Sequence, residues 1–121
     1  MNLLLQSSSI QHRASIKITG SKSETNRLLL LQALFPNLIL GNTSNSDDSE
    51  VMSSILQQSK IQNQQSQIFN VHHAGTAMRF LTAYFSIQEG KEVVLTGSSR
   101  MKERPIKILV EALNQLGAEI S

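Results

Sequence analysis

Three observations predict an α/β fold for this chain. Short strand-like segments at 14–19, 38–40, 68–71, 92–96 and 118–120 take turns with longer segments of helical apolar spacing. Glycine or proline punctuates most junctions, as at Gly20, Pro36, Gly41, Gly90, Gly97 and Gly117. The succession of helix, short strand ending in glycine, and helix also runs twice, with a repeat of about 55 residues.

Taken in order, Ala14 to Thr19 alternate small or apolar with polar side chains, the pattern of a half-buried strand closed by Gly20. A helix is expected over about 22–35. Its run Leu28, Leu29, Leu30, Leu31, Ala33, Leu34 and Phe35 covers most of the circumference, which predicts burial on nearly all sides. Pro36-Asn37 stops it, and Leu38-Ile39-Leu40 forms a short strand. Ser46-Asp47-Asp48 provides an N-cap and two acids for a helix over about 47–60, with Val51, Met52, Ile55 and Leu56 inward.

The stretch from Gln57 to Gln67 holds six glutamines and reads as a solvated connection without chemistry. A strand at 68–71 then leads through His72-His73-Ala74-Gly75-Thr76 into a helix over about 76–88, ended near Gly90. After the strand 92–96 comes a turn, Gly97 to Arg100. Pro105 is placed at the first position of a helix reaching Leu116, Gly117 follows as its C′ residue, and a strand begins at 118. The chain therefore reads as two units, about 14–71 and 72–121, with a strand left over, and so as incomplete.

At 121 residues and 40% hydrophobic content there is material for one real core. Net charge is only +2 with no cationic run, which argues against nucleic acid as a partner and favours a small anion. The absence of cysteine excludes disulfides, thiolate metal sites and cysteine nucleophiles. Leu3-Leu4-Leu5 is too short for a signal-peptide core, and no apolar run approaches membrane-spanning length, so the reading is cytoplasmic with no membrane partner.

The anion has an obvious candidate site at Gly20-Ser21-Lys22-Ser23-Glu24-Thr25-Asn26-Arg27. Free N–H groups at a helix start, hydroxyls and two cations converge there. Lys22 offers a point charge, and the planar guanidinium of Arg27 can grip a carboxylate or phosphate through two bonds. Alone, the two cations would be ordinary surface charges at a helix start. His72 and His73, adjacent on a strand end, point apart with no third ligand near, which speaks against a metal. Asp47 and Asp48 read as helix-start electrostatics rather than a catalytic pair. Arg79 and Arg104 read as structural partners for loop carbonyls or carboxylates, with Glu103 as local counter-charge.

Three stretches together carry a family resemblance: Gly20-Ser21-Lys22-Ser23 with Asn26-Arg27, Ala74-Gly75-Thr76-Ala77-Met78-Arg79, and Leu95-Thr96-Gly97 through Arg100-Met101-Lys102-Glu103-Arg104-Pro105-Ile106. In this order and spacing the chain resembles the N-terminal part of the 5-enolpyruvylshikimate-3-phosphate (EPSP) synthases. That family's two domains are inside-out α/β prisms of three βαβαββ-type units each, so about two units would be present here. The resemblance implies transfer of the enolpyruvyl group of phosphoenolpyruvate to the 5-hydroxyl of shikimate 3-phosphate, by addition and then elimination of phosphate, in the shikimate pathway of aromatic amino acid biosynthesis.

Carried over residue by residue, the motifs imply that Lys22 is the catalytic contact and touches both substrates. Ser23 and Arg27 would hold shikimate 3-phosphate, while Gly75, through close backbone approach, and Arg100 would hold phosphoenolpyruvate. His73 and Thr76 are further candidates. The resemblance implies no cofactor and no metal, and it makes a C-terminal domain of the same enzyme the partner that brings the acid and base groups. Two positions depart from the family pattern: His73 stands where Asn is usual, and Phe80 where Pro is usual. Related enzymes acting on UDP-N-acetylglucosamine are the nearest alternative, but they would show Lys-Asn at Lys22-Ser23 and usually a reactive cysteine. A free-standing anion-binding module is the other alternative, and the unfinished third unit argues against it.

Overall fold

The computed structural model describes residues 1–9, 12–61 and 66–121. Among them, α1 (Lys22–Leu34), α2 (Asp47–Ile61), β1 (Ser66–Asn70), α3 (Gly75–Ser86), β2 (Glu92–Thr96), a short α4 (Ser99–Lys102) and α5 (Lys107–Gln115) follow in that order. β1 and β2 form a parallel pair in register from Ser66 opposite Glu92 to Asn70 opposite Thr96. Parallel neighbours need a crossover, and α3 makes it. The α/β expectation therefore holds.

The core lies where α3 crosses the strand pair and meets α1 and α2. Leu81 and Ala77 of α3, Met52, Ile55 and Leu56 of α2, and Phe69 of β1 are all buried. The Phe69 ring stacks on Phe85 with centroids 5.5 Å apart, and Tyr84 meets Phe85 edge-on at 5.2 Å. The apolar spacing read in α2 and α3 thus points inward as expected. Burial also pushes the Tyr84 phenol above its ordinary pKa, because the charged phenolate is poorly solvated there.

Four expectations need correction. The first concerns α1, which buries only one stripe, Thr25, Asn26 and Leu29, with Leu30 and Ala33 partly covered. Leu28, Leu31 and Leu34 remain 41%, 44% and 46% exposed, because α2 and α3 pack against one side of the helix. Secondly, the segments 14–19, 38–40 and 118–120 are not strands. An alternating pattern becomes a strand only beside another edge, and among the described residues β1 and β2 pair with each other alone. Ile16 and Ile39 are accordingly 82% and 95% exposed. The last of these segments is held by Asn114 instead, whose side chain bonds both the N–H and the carbonyl of Ile120 at 3.0 Å.

Thirdly, the glutamine-rich stretch is not all connection: α2 runs on through Ile61, with Gln58 donating to Ser54 one turn back, and Gln67 is a buried residue of β1. Residues 62–65 of that stretch lie outside the described residues. Finally, α5 starts at Lys107 rather than at Pro105, and the turn after β2 contains α4, capped by the Ser98 hydroxyl. Gly117 does follow α5 in the left-handed region, at φ 103°. No helix of the described residues is long and apolar enough to cross a membrane.

Candidate functional site

The first turn of α1 is built as its sequence requires. Ser21 is extended, at φ −65° and ψ 131°, and its hydroxyl accepts from the Glu24 N–H at 3.4 Å. Gly20 lies so close to the Asn42 carbonyl that a Cβ would collide with it. The buried face of the helix is polar at this end. Thr25 Oγ1 accepts from the Ser44 N–H at 2.9 Å, and the wholly buried Asn26 accepts from the Ser49 hydroxyl at 2.7 Å. These bonds fix the start of α1 against the start of α2.

That alignment sets Lys22 over Asp48, with Nζ 3.7 Å from Oδ2. The Lys22 side chain is 49% exposed and that of Asp48 only 16%. The other oxygen of the same carboxylate accepts from the Thr76 N–H at 3.0 Å and the Ala77 N–H at 3.3 Å. α3 has Ala74 at its N-cap position, with no side-chain cap of its own. Asp48 provides one from α2, and its charge suits the positive end of the helix.

Arg27 is one turn after Ser23 and folds back on it, Nη1 donating to the Ser23 carbonyl at 2.9 Å and hydroxyl at 3.2 Å. Its guanidinium also lies 5.8 Å from the centroid of the Phe80 ring. The departure at Phe80 therefore brings α3 a cation contact that proline could not make.

At the other side of the α3 start, Arg79 Nη1 donates to the Gly75 carbonyl at 3.1 Å and Nη2 to the Pro105 carbonyl at 3.0 Å. This matches its reading as a partner of loop carbonyls. The space that a Cβ on Gly75 would need is filled by the guanidinium of Arg104, with Arg79 Nη1 3.5 Å away. Glu103, expected as the local counter-charge, makes no ion pair among the described residues. The loops after β1 and β2 are joined, since the Ser98 N–H donates to the His72 carbonyl at 2.8 Å and the Val71 N–H to Thr96 at 2.8 Å.

Among the expected residues, Lys22, Gly75 and Thr76 are brought together through Asp48, while Ser23 and Arg27 sit beside them through Phe80. His73 is exposed in the turn before α3. Arg100 lies on α4, exposed and with no side-chain hydrogen bond or ion pair among the described residues; the guanidinium at Gly75 is that of Arg104. Four cations, Lys22, Arg27, Arg79 and Arg104, thus surround the first two turns of α3 against one carboxylate, an arrangement suited to multiply charged anions. Among the described residues no three His, Cys, Asp or Glu gather as metal ligands.

Two residues that the sequence reading gave only structural roles stand at this site. Asp48 carried only the signal of an acid in a first helical turn, and nothing in the sequence shows that it reaches a helix 28 residues on. Arg104 shares a motif with Arg100, and spacing alone does not say which of the two faces Gly75. A cleft of about 990 Å3 shares Arg79 and Arg104 with this site but not Lys22, Ser23 or Arg27. It is a gap between α3 and β2 on one side and the α4–α5 segment with residues 117–121 on the other.

The profile of EPSP synthase (3-phosphoshikimate 1-carboxyvinyltransferase) matches residues 37–121. The 3-phosphoshikimate 1-carboxyvinyltransferase of Bacteroides fragilis strain YCH46 is 43% identical over 99% of this chain, which spans 28% of that protein. The proteins of the same name from Shewanella oneidensis and Pasteurella multocida are 39% and 41% identical over 92% and 87% of the chain, which covers 31% and 30% of their lengths. No solved structure matches. The chain spans under a third of the relatives' length, and within that span, from family profile and relatives alike, it belongs to the EPSP synthase family.

Proposed function

We propose that this chain forms the substrate-positioning part of a 3-phosphoshikimate 1-carboxyvinyltransferase, which moves the enolpyruvyl group of phosphoenolpyruvate to the 5-hydroxyl of shikimate 3-phosphate and releases phosphate. The observation that carries the reading is the gathering of Lys22, Arg27, Arg79 and Arg104 around the first two turns of α3. Lys22, between the two helix starts, serves both substrates. Ser23 and Arg27 hold shikimate 3-phosphate, Arg27 exchanging its bonds to Ser23 for the phosphate. Phosphoenolpyruvate lies toward Gly75, where Arg104 is the better-placed grip and Arg100, on α4, the more distant candidate. The Thr76 N–H is taken by Asp48, so Thr76 offers its hydroxyl, and His73 offers a ring N–H from the preceding turn.

Positioning two anions removes most of the entropic cost of their encounter. The proton transfers of addition and elimination belong to groups of a second, C-terminal domain. The wider architecture of this reading is the inside-out prism of βαβαββ units, in a cytoplasmic enzyme that needs no cofactor. The test is phosphate release from the two substrates by the intact protein that carries this chain. No release under any condition overturns the reading. Residues 1–121 alone are expected to release none, and release by them would refute the assignment of acid and base groups to the second domain.

A further inference from the structure

We propose that Asp48 is a positioning residue for the transfer: its carboxylate holds the Lys22 ammonium and the first turn of α3 in one fixed arrangement, so that two substrate-facing elements form a single cradle. The inference rests on the functional reading above and adds a residue which that reading leaves unused.

Each oxygen of this carboxylate serves a different element. Oδ1 takes the Thr76 and Ala77 N–H groups, and Oδ2 takes Lys22. The first turn of α2, which carries Asp48, is anchored to α1 by the neighbouring Ser49, whose hydroxyl bonds the buried Asn26. Capping α3 alone needs no charge, since Ser or Asn would do it. Pairing with Lys22 alone needs no reach to Thr76. A carboxylate paired with a substrate-facing lysine also opposes the binding of anions, so its benefit lies in geometry rather than in ground-state affinity.

Asp48→Asn separates the two. The amide keeps an oxygen for Thr76 and Ala77 and nearly the same size, but it loses the charge that orients Lys22. In the intact protein, kcat is expected to fall about 10- to 100-fold, the scale of a misplaced reacting group. KM for neither substrate should rise, because a negative charge has left the site, and the melting temperature should change little. Asp48→Glu restores the charge one methylene out of place and should recover part of kcat. Unchanged kcat in Asp48→Asn overturns the proposal. So does a loss of kcat that comes with a fallen melting temperature and raised KM for both substrates, which marks a purely structural residue. If the amide variant does not fold, Asp48→Glu carries the test: reduced kcat at native melting temperature supports positioning, and wild-type kcat overturns it.

A readout without turnover separates this inference from the functional reading. If Asp48 couples Lys22 to α3, Lys22→Met should speed amide hydrogen exchange at Thr76 and Ala77 by about two- to fivefold, as loss of a partly exposed ion pair would. Exchange unchanged there overturns the coupling whatever the enzyme does, whereas a wild-type protein without turnover but with faster exchange in Lys22→Met overturns the function and leaves the coupling standing.

Discussion

On their ligand-facing sides, the starts of α1 and α3 are stabilised from different distances along the chain. Ser21 caps α1 three residues ahead, and Arg27 bonds Ser23 four residues back. At α3 the cap comes from Asp48, 28 residues away, and the lock on Arg79 from Pro105, 26 residues away. Arg27, hydrogen-bonded only within its own helix, can turn toward a ligand at small cost, whereas Lys22 of the same helix is paired with Asp48 of α2. The α3 start is clamped from both sides before any ligand arrives, with its backbone turn held as a fixed surface. Within the proposed reaction, α1 adjusts to shikimate 3-phosphate and α3 presents a preformed seat for phosphoenolpyruvate.

The largest effect that would sharpen this contrast comes from the two arginines after β2. Arg104→Lys keeps the charge and loses the planar fork. A charge-assisted bond is worth about 1.5–3 kcal/mol, so phosphoenolpyruvate should bind roughly 10- to 150-fold more weakly, with shikimate 3-phosphate barely changed. Arg100→Lys, on the exposed face of α4, should change either ligand little. Calorimetric titration of both ligands into both variants decides between them; the reverse pattern would return the grip to Arg100 and take it from the clamped seat. Gly75→Ala probes the same seat from below. The added Cβ meets the flexible end of Arg104 rather than backbone, so the fold should survive while the guanidinium shifts and phosphoenolpyruvate affinity falls about 10-fold.

These residues also show what the sequence could disclose. The start of α1 at Lys22 and the inward stripes of α2 and α3 were legible because each is a local pattern of turn residues and helical spacing. β2 was read at its observed bounds because Val93, Val94 and Leu95 sit between turn signals and find a partner in β1. The alternation at 14–19 was as clear, yet it forms no strand, since pairing depends on an edge elsewhere. Leu28 and Leu31 show the same limit in a helix: apolarity was visible, but which side meets α2 and α3 was not. Asp48 and Arg104 act across 28 and 29 residues, from Thr76 and Gly75 respectively, so only folding brings them to the site.

The contrast also predicts unequal stability costs. Ser21→Ala removes one long, exposed cap bond and should cost about 0.5–1 kcal/mol, whereas Asp48→Ala uncaps two N–H groups and strands Lys22, at about 1–2 kcal/mol. Denaturant unfolding of the two variants measures both. Equal costs would mean that the remote clamp on α3 is no firmer than the local cap on α1.

The smallest effect concerns the contact by which α3 reaches Arg27 of α1. The Phe80 ring lies under the Arg27 guanidinium at 5.8 Å, and an exposed cation–π contact contributes about 0.5–1 kcal/mol. Phe80→Leu keeps an apolar, helix-compatible residue and removes the ring face, so Arg27 should lose part of its preferred orientation. Shikimate 3-phosphate affinity should then fall about two- to fivefold, with phosphoenolpyruvate unaffected and stability nearly unchanged. Phe80→Tyr, which preserves the ring, should behave as wild type. If Phe80→Leu weakens phosphoenolpyruvate instead, the ring works by shaping the α3 start, and Arg27 is held by Ser23 alone. Weakening of shikimate 3-phosphate would show that the adjustable side of the site takes its orientation from the clamped one.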